Sequence, residues 1–448
     1  MYQPDTIAAI SSPAGVGAIA LLRLTGPKAV AIARLVASAL PGHLTERYAY
    51  FSPLDDGAGR IDEGLIMIFH GPRSFTGEDV VEFSVHASSY VQQRLLEALL
   101  TAGARMAQPG EFTQRAFLNR KLDLSQAEAV ADLIASQSAA QHKLALDQMR
   151  GGFGKRIGEL RQQLIDFAAL IELELDFSEE DVEFAKRPEL LALIDGIVIL
   201  CTELIDSFRY GNAVRQGVPV AIIGAPNSGK STLLNALLQD DRAIVSDVPG
   251  TTRDTVEETM TIGGVLFRFI DTAGIRKTTD VVEQLGIDRS YKKAKEASIV
   301  VLLGDAAVMN EQAFALDARL LQERIGDGPV VIPVLNKVDV APSPINRTLT
   351  ISAKTGAGLD ALKKHFTDHV NALHGTADLV VTNARHVDAL TRARTSLQQA
   401  RAAIDGGLGG ELLAIDLRRA QDQLGEITGQ ITTDDLLGSI FGRFCIGK

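Results

Sequence analysis

The sequence predicts a multidomain chain: an α+β N-terminal region, an α-helical region, and an α/β domain inserted within the helical one. Three observations carry this. Residues 218–374 alternate strand-like apolar runs with amphipathic ones, and helical stripes flank that stretch on both sides. Between an apolar run and a helical one lies Gly224-Ala225-Pro226-Asn227-Ser228-Gly229-Lys230-Ser231. Strand, glycine-bounded loop and helix form the setting that a phosphate-binding loop requires, and the spacing G-x-x-x-x-G-K-S fits at every position.

Up to about residue 118 the pattern is mixed. Runs at 19–24, 65–69 and 80–85 read as strands, 29–40 and 91–100 have helical spacing, and 53–59 and 71–77 are turn-forming. From Asn119 the chain turns helical: 126–136 is one helix, and Ile157, Leu160, Leu164, Ala168, Ile171 and Leu175 form the stripe of another. The α/β stretch has strand candidates at 218–223, 265–270, 299–303, 330–335 and 349–352, so a mainly parallel sheet is expected. Helices then resume, one carrying Leu390, Leu397 and Ile404, the next Leu413, Leu417, Ala420, Leu424 and Ile427. Neither flanking helical block can bury its stripe alone, so the two are expected to pack together around an insertion. The expected limits are 1–118, 119–216, 217–374 and 375–448.

Composition narrows the class. The 448 residues carry a net charge of −11 with no polybasic run, so bulk electrostatics would not draw the chain to nucleic acid or anionic lipid. Two cysteines, Cys201 and Cys445, are too few for a disulfide scaffold or a cysteine zinc site. The N-terminus lacks a basic region, and no apolar run is long enough to span a bilayer. A cytoplasmic protein with no membrane contact is expected.

The inserted domain holds the chemistry. Asn227, Ser228, Gly229, Lys230, Ser231 and Thr232 would surround phosphates: backbone N–H groups turn inward, Lys230 reaches the β- and γ-phosphates, and the Ser231 hydroxyl ligates Mg²⁺. Gly250-Thr251-Thr252-Arg253-Asp254 offers Thr252 for Mg²⁺ and the γ-phosphate. Asp271-Thr272-Ala273-Gly274 follows a strand, so Asp271 can hold the magnesium through water and the Gly274 amide can sense the γ-phosphate. Asn336-Lys337-Val338-Asp339 should read the base, since a carboxylate at Asp339 accepts from the ring N–H and exocyclic amine of guanine. Ser352-Ala353-Lys354 would close that pocket through the Ala353 amide. Each short motif is weak alone, but all in this order indicate a Ras-like G domain binding GTP and GDP. Ile275 stands where small signalling GTPases carry the glutamine that orients water, so a polar group must come from elsewhere, with Arg276, Asp280 and Glu283 as candidates.

Other segments extend the likeness over the whole chain. They are Asp5-Thr6-Ile7-Ala8-Ala9, Ser74-Phe75-Thr76-Gly77-Glu78-Asp79, and Pro109-Gly110-Glu111-Phe112-Thr113-Gln114-Arg115-Ala116-Phe117. Asn119-Arg120-Lys121-Leu122-Asp123-Leu124 and the ending Phe444-Cys445-Ile446-Gly447-Lys448 complete the set. With these the sequence resembles the MnmE (TrmE) family of tRNA-modification GTPases. The resemblance implies a homodimer whose N-terminal domain binds 5-formyl-tetrahydrofolate or a related folate, with contacts falling on Arg23, Glu82, Lys121 and Lys448. Cations suit the glutamate tail, and a carboxylate suits the donor edge of a pterin. It also implies a K⁺ site at Asn227, Ser246, Val248 and Thr251, adding positive charge against the transition state, and a catalytic glutamate at Glu283. In the family the protein works in a heterotetramer with the FAD-dependent subunit MnmG. Together they place an aminomethyl or carboxymethylaminomethyl group on carbon-5 of the wobble uridine of certain tRNAs.

Two positions depart from the family pattern: His86-Ala87-Ser88 replaces His-Gly-Gly, and Ser178 stands where proline is common. Cys445 reads as a structural residue, or less readily as a nucleophile, because no histidine base lies beside it in sequence. The rival class is a GTP-dependent RNA-binding switch in ribosome assembly. It would share the G-domain motifs but should carry a basic RNA-binding module, and it leaves the N-terminal motifs unexplained.

Overall fold

The computed structural model describes residues 5–176, 186–241, 257–270, 291–340, 348–374, 379–407 and 410–447. The chain divides into two compact units, Met1–Ala131 with Gln148–Ala185 and Gly406–Lys448, and Asp132–Asp147 with Lys186–Asp405.

The first unit is built on a sheet of β1 (Ile7–Ile10), β2 (Ile19–Thr25), β3 (Ala49–Asp55), β4 (Arg60–Phe69), β5 (Val80–His86) and β6 (Arg105–Met106). Its order is β3-β4-β5-β2-β1-β6, antiparallel except for β1 beside β6. Side chains alternate across the pleat. Leu22, Leu24, Ile66, Ile68, Val81 and Phe83 form one core with the helices Ala29–Val36 and Ser89–Thr101. The alternate residues, Arg23 and Glu82 among them, therefore face the other side, where they oppose each other in the β2–β5 register. The segment read as a turn at 53–59 is instead half strand: Pro53 and Leu54 lie in β3, and the turn follows at Asp56. A proline is tolerated there because β3 is the sheet's edge. Also in this unit, Gly152–Asp176 packs along Gly410–Thr428, where Gln421 donates to the Leu164 carbonyl at 2.9 Å. Ile157, Leu160, Leu164, Ala168 and Ile171 are buried as their spacing requires.

The second unit holds β7 (Val218–Gly224), β8 (Glu258–Ile262), β9 (Val265–Phe269), β10 (Ile299–Asp305), β11 (Val330–Asn336) and β12 (Leu349–Thr350), in the order β12-β11-β10-β7-β9-β8. All neighbours run parallel except the β8–β9 hairpin. That hairpin turns at Gly263 and Gly264, both left-handed (φ 58° and 80°), as a tight two-residue connection demands. The strands β7, β10 and β11 are almost wholly apolar, as strands of a parallel sheet covered on both faces are. The helix Arg187–Gln216 packs along Ala384–Asp405, each a neighbour of the inserted stretch in sequence. The parallel arrangement matters for function: β7, β10 and β11 all end at one edge of the sheet, at Gly224, Asp305 and Asn336.

Candidate nucleotide and N-terminal sites

At that edge the loop after β7 runs into the helix Lys230–Asp241. Asn227 adopts a left-handed conformation (φ 64°) at the exposed crest, and Gly229 another (φ 98°). Gly229 cannot carry a side chain, because a Cβ there would stand 2.2 Å from Asn336 Nδ2. The Lys230 ammonium donates to the Gly224 and Ala225 carbonyls at 2.8 and 2.9 Å, so its partners belong to its own loop. Burial pushes its pKa below that of an ordinary lysine. A cation whose partners among the described residues are carbonyl dipoles, at the start of a helix, is arranged to receive an anion.

Asn336 joins the two halves of the site. Its Nδ2 donates to the Ser228 carbonyl at 2.9 Å and its Oδ1 accepts from the Ala353 amide at 2.9 Å, all within buried surroundings. Asp339 is exposed, with Oδ1 held by the Ser352 hydroxyl at 2.7 Å, and the same hydroxyl accepts from the Thr355 amide. This leaves the carboxylate oriented outward, as a reader of a two-donor base edge must be. Lys337 is left-handed (φ 70°), and its ammonium meets Asp305 Oδ2 at 2.6 Å. That contact holds the Asp305 carboxyl below its usual range. Sequence reading missed Asp305; its signal was only a carboxylate ending an apolar strand. Ser231 and Thr232 lie in the first turn of the helix Lys230–Asp241, and Lys354 lies in the turn after Ala353. Ser246, Val248, Thr251, Thr252, Asp271, Gly274 and Glu283 lie outside the described residues.

In the first unit Arg23 and Glu82 are joined. Arg23 Nε and Nη2 both donate to Glu82 Oε1, at 2.9 and 2.7 Å. The guanidinium also sits 5.8 Å from the ring centres of Phe75 and Phe112. Lys121 is not bonded to this pair: its ammonium donates to the Pro72 carbonyl at 2.9 Å, in the loop that also carries Phe75. Lys448 lies outside the described residues, but the tail before it docks on the same unit. Ile446 pairs with Pro109, and the Ser11 hydroxyl donates to the Gly447 carbonyl at 3.0 Å. Cys445 is exposed in that tail, whereas burial pushes the Cys201 thiol up to about 12, which makes it inert. Ala87, at the departure from His-Gly-Gly, is buried and has no left-handed backbone, so glycine is not required for its conformation.

Several motif residues around this pair build a buried ion network. Arg115, 2% exposed, pairs with Asp5, Glu78 and Glu111. Burial opposes ionisation of Glu111, but hydrogen bonds from Arg105, the Gln108 amide and Arg115 hold its carboxyl low. Glu78 goes the other way: burial raises it despite Arg115.

Comparison with known proteins gives the family of the chain. The description "GTP-binding protein TrmE N-terminus" matches residues 6–121, and "MnmE helical domain" matches residues 124–445. The tRNA modification GTPase MnmE of Christiangramia forsetii is 47% identical, over 99% of this chain and 99% of its own. Those of Flavobacterium johnsoniae and Porphyromonas gingivalis are 46% and 47% identical, each over 100% of this chain and 100% and 99% of their own. With the nucleotide loops in place and this identity over nearly its whole length, the chain belongs to the MnmE (TrmE) family of tRNA modification GTPases.

Proposed function

We propose that the protein is a K⁺-dependent GTPase that modifies the wobble uridine of certain tRNAs at carbon-5, adding a carboxymethylaminomethyl or aminomethyl group with a folate one-carbon unit. The observation that carries the GTPase part is the Asn336 bridge, which ties the phosphate loop to the base-reading loops in one rigid edge. Asp339 selects guanine, and Lys230 holds the phosphates. Mg²⁺, supplying charge against those phosphates, would be held by Ser231 and Thr252. K⁺ would be held by Asn227, Ser246, Val248 and Thr251, and Glu283 would orient the attacking water.

The folate part is supported by the donor set: a guanidinium for a carboxylate tail, and a carboxylate whose hydrogen bonds from Arg23 both go to one oxygen, Oε1. Aromatic rings lie beside it. The residues present fit such a ligand. Flavin chemistry would come from the partner subunit MnmG, with the protein acting as a homodimer in the cytoplasm. Its domains are bounded at about residues 118, 216 and 374.

Nucleoside mass spectrometry of tRNA from cells lacking the protein tests this reading. Loss of the modified wobble uridine is expected. Unchanged wobble uridine would overturn it.

A further inference from the structure

We infer that Asp305 is a positioning residue for the base-reading segment: its carboxylate clamps the Lys337 ammonium and so holds the turn that presents Asp339. The inference rests on the guanine-nucleotide reading above. Lys337 occupies the left-handed region, which an L residue with a side chain enters only at some energetic cost. Such a conformation persists only where its surroundings over-determine it, and here the determinants are visible. Asp305 ends β10 directly beside Asn336, its register partner on β11. Asp305 Oδ2 meets the ammonium at 2.6 Å. Oδ1 is fixed in turn by the Ala307 amide at 3.0 Å, so the carboxylate cannot swing away. The backbone completes the clamp: the Ala306 amide donates to the Asn336 carbonyl at 2.9 Å, and the Val340 amide to that of Lys337 at 3.1 Å.

The pair is partly screened, with side chains 35% and 21% exposed, so it adds little to global stability. Its effect is local. Lys337 stands between Asn336, which is bonded to both loops, and Asp339, which faces the base. Releasing its ammonium would let the turn relax toward ordinary backbone and misaim the carboxylate. The base is common to GTP and GDP, so both nucleotides should be affected equally, which a defect at the γ-phosphate would not produce.

Calorimetric titration of the full-length protein with GDP and GTP tests this. Asp305→Asn keeps the shape and the Oδ1 acceptor but removes the charge. It should weaken both nucleotides by the same factor, about tenfold, the scale of one charge-assisted hydrogen bond. Combined with Lys337→Met it should cost nothing beyond Lys337→Met alone, because the two act as a unit. Asp305→Glu, which restores the charge with a longer reach, should bind more tightly than Asp305→Asn; a role of shape alone would reverse that order. Asp305→Asn binding GDP within about twofold of wild type, or losses that multiply in the double variant, would overturn the inference. Failure of the unaltered protein to bind either nucleotide would instead overturn the guanine-nucleotide reading.

Discussion

Lys230 shows how one side chain can be held ready for a ligand by its own loop. Its ammonium rests on two carbonyls of its own loop, and burial has lowered its pKa. A folded-state pKa below the unfolded one means the protonated form is disfavoured in the folded loop. Its contribution to folding therefore improves as pH rises through the folded value, the reverse of a lysine that has gained an acidic partner. Phosphates would restore the proton. Nucleotide binding should then take up protons increasingly as pH climbs through the lowered folded-state pKa, and affinity should fall over the same window. Calorimetry in buffers of differing ionisation enthalpy measures this uptake directly. Binding with no uptake all the way to the range of a normal lysine would mean that the ammonium is not beside the phosphates.

Arg115 does for an element what Lys230 does for a loop. It ties the helix Glu111–Leu118 to the start of the chain through Asp5 and to the loop before β5 through Glu78. Removing it strands Glu78, 12% exposed, without its buried cation, and leaves Glu111, 11% exposed, to Arg105 and the Gln108 amide. Arg115→Met should therefore destabilise the first unit by about 3–5 kcal/mol, as broken buried ion pairs do, and lower its melting transition. Melting unchanged from wild type would show that water relieves the stranded carboxylate. The network also marks the limit of reading a sequence. The motif segments bearing Asp5, Glu78 and Arg115 are legible as strings, but Asp5 and Arg115 meet across 110 positions, which no local spacing encodes. Periodicity found β2, β5 and the parallel strands β7, β9, β10 and β11 because those runs are mostly apolar and several residues long, and it placed the two-residue β12 as well. It missed β1, only four residues, and β3, whose Pro53 is a turn signal everywhere but at a sheet edge. The β8 strand was readable in principle from Gly263-Gly264, a hairpin pair flanked by apolar residues. At the sites, loop spacing revealed the phosphate and base contacts, whereas the carboxylate that supports Lys337 comes from a neighbouring strand.

At the scale of the molecule, the two candidate sites are built from separate sets of partners. Every partner of Arg23 described above, Glu82, Phe75 and Phe112, belongs to the first unit; every partner of Lys230, Asn336 and Asp339 belongs to the second. Ligand binding at one should thus be separable by mutation from binding at the other. Arg23→Ala is the sharpest probe. Arg23 and Glu82 are each about one-fifth exposed, so the carboxylate left behind regains water and the fold should tolerate the loss, unlike the loss of Arg115. What disappears is the guanidinium that would meet a folate carboxylate, a charge-assisted contact whose removal should weaken 5-formyl-tetrahydrofolate binding by about tenfold or more. GTP and GDP affinities should stay within about twofold of wild type, since the two sites share no partner among the described residues and such sites act independently. The converse variant, Lys230→Ala, should abolish nucleotide binding and leave folate affinity intact. Titration of both ligands into both full-length variants completes the comparison. Folate bound by Arg23→Ala as tightly as by the unaltered protein would remove Arg23 from the pocket, and loss of GTP binding in the same variant would show that the two sites are coupled at equilibrium.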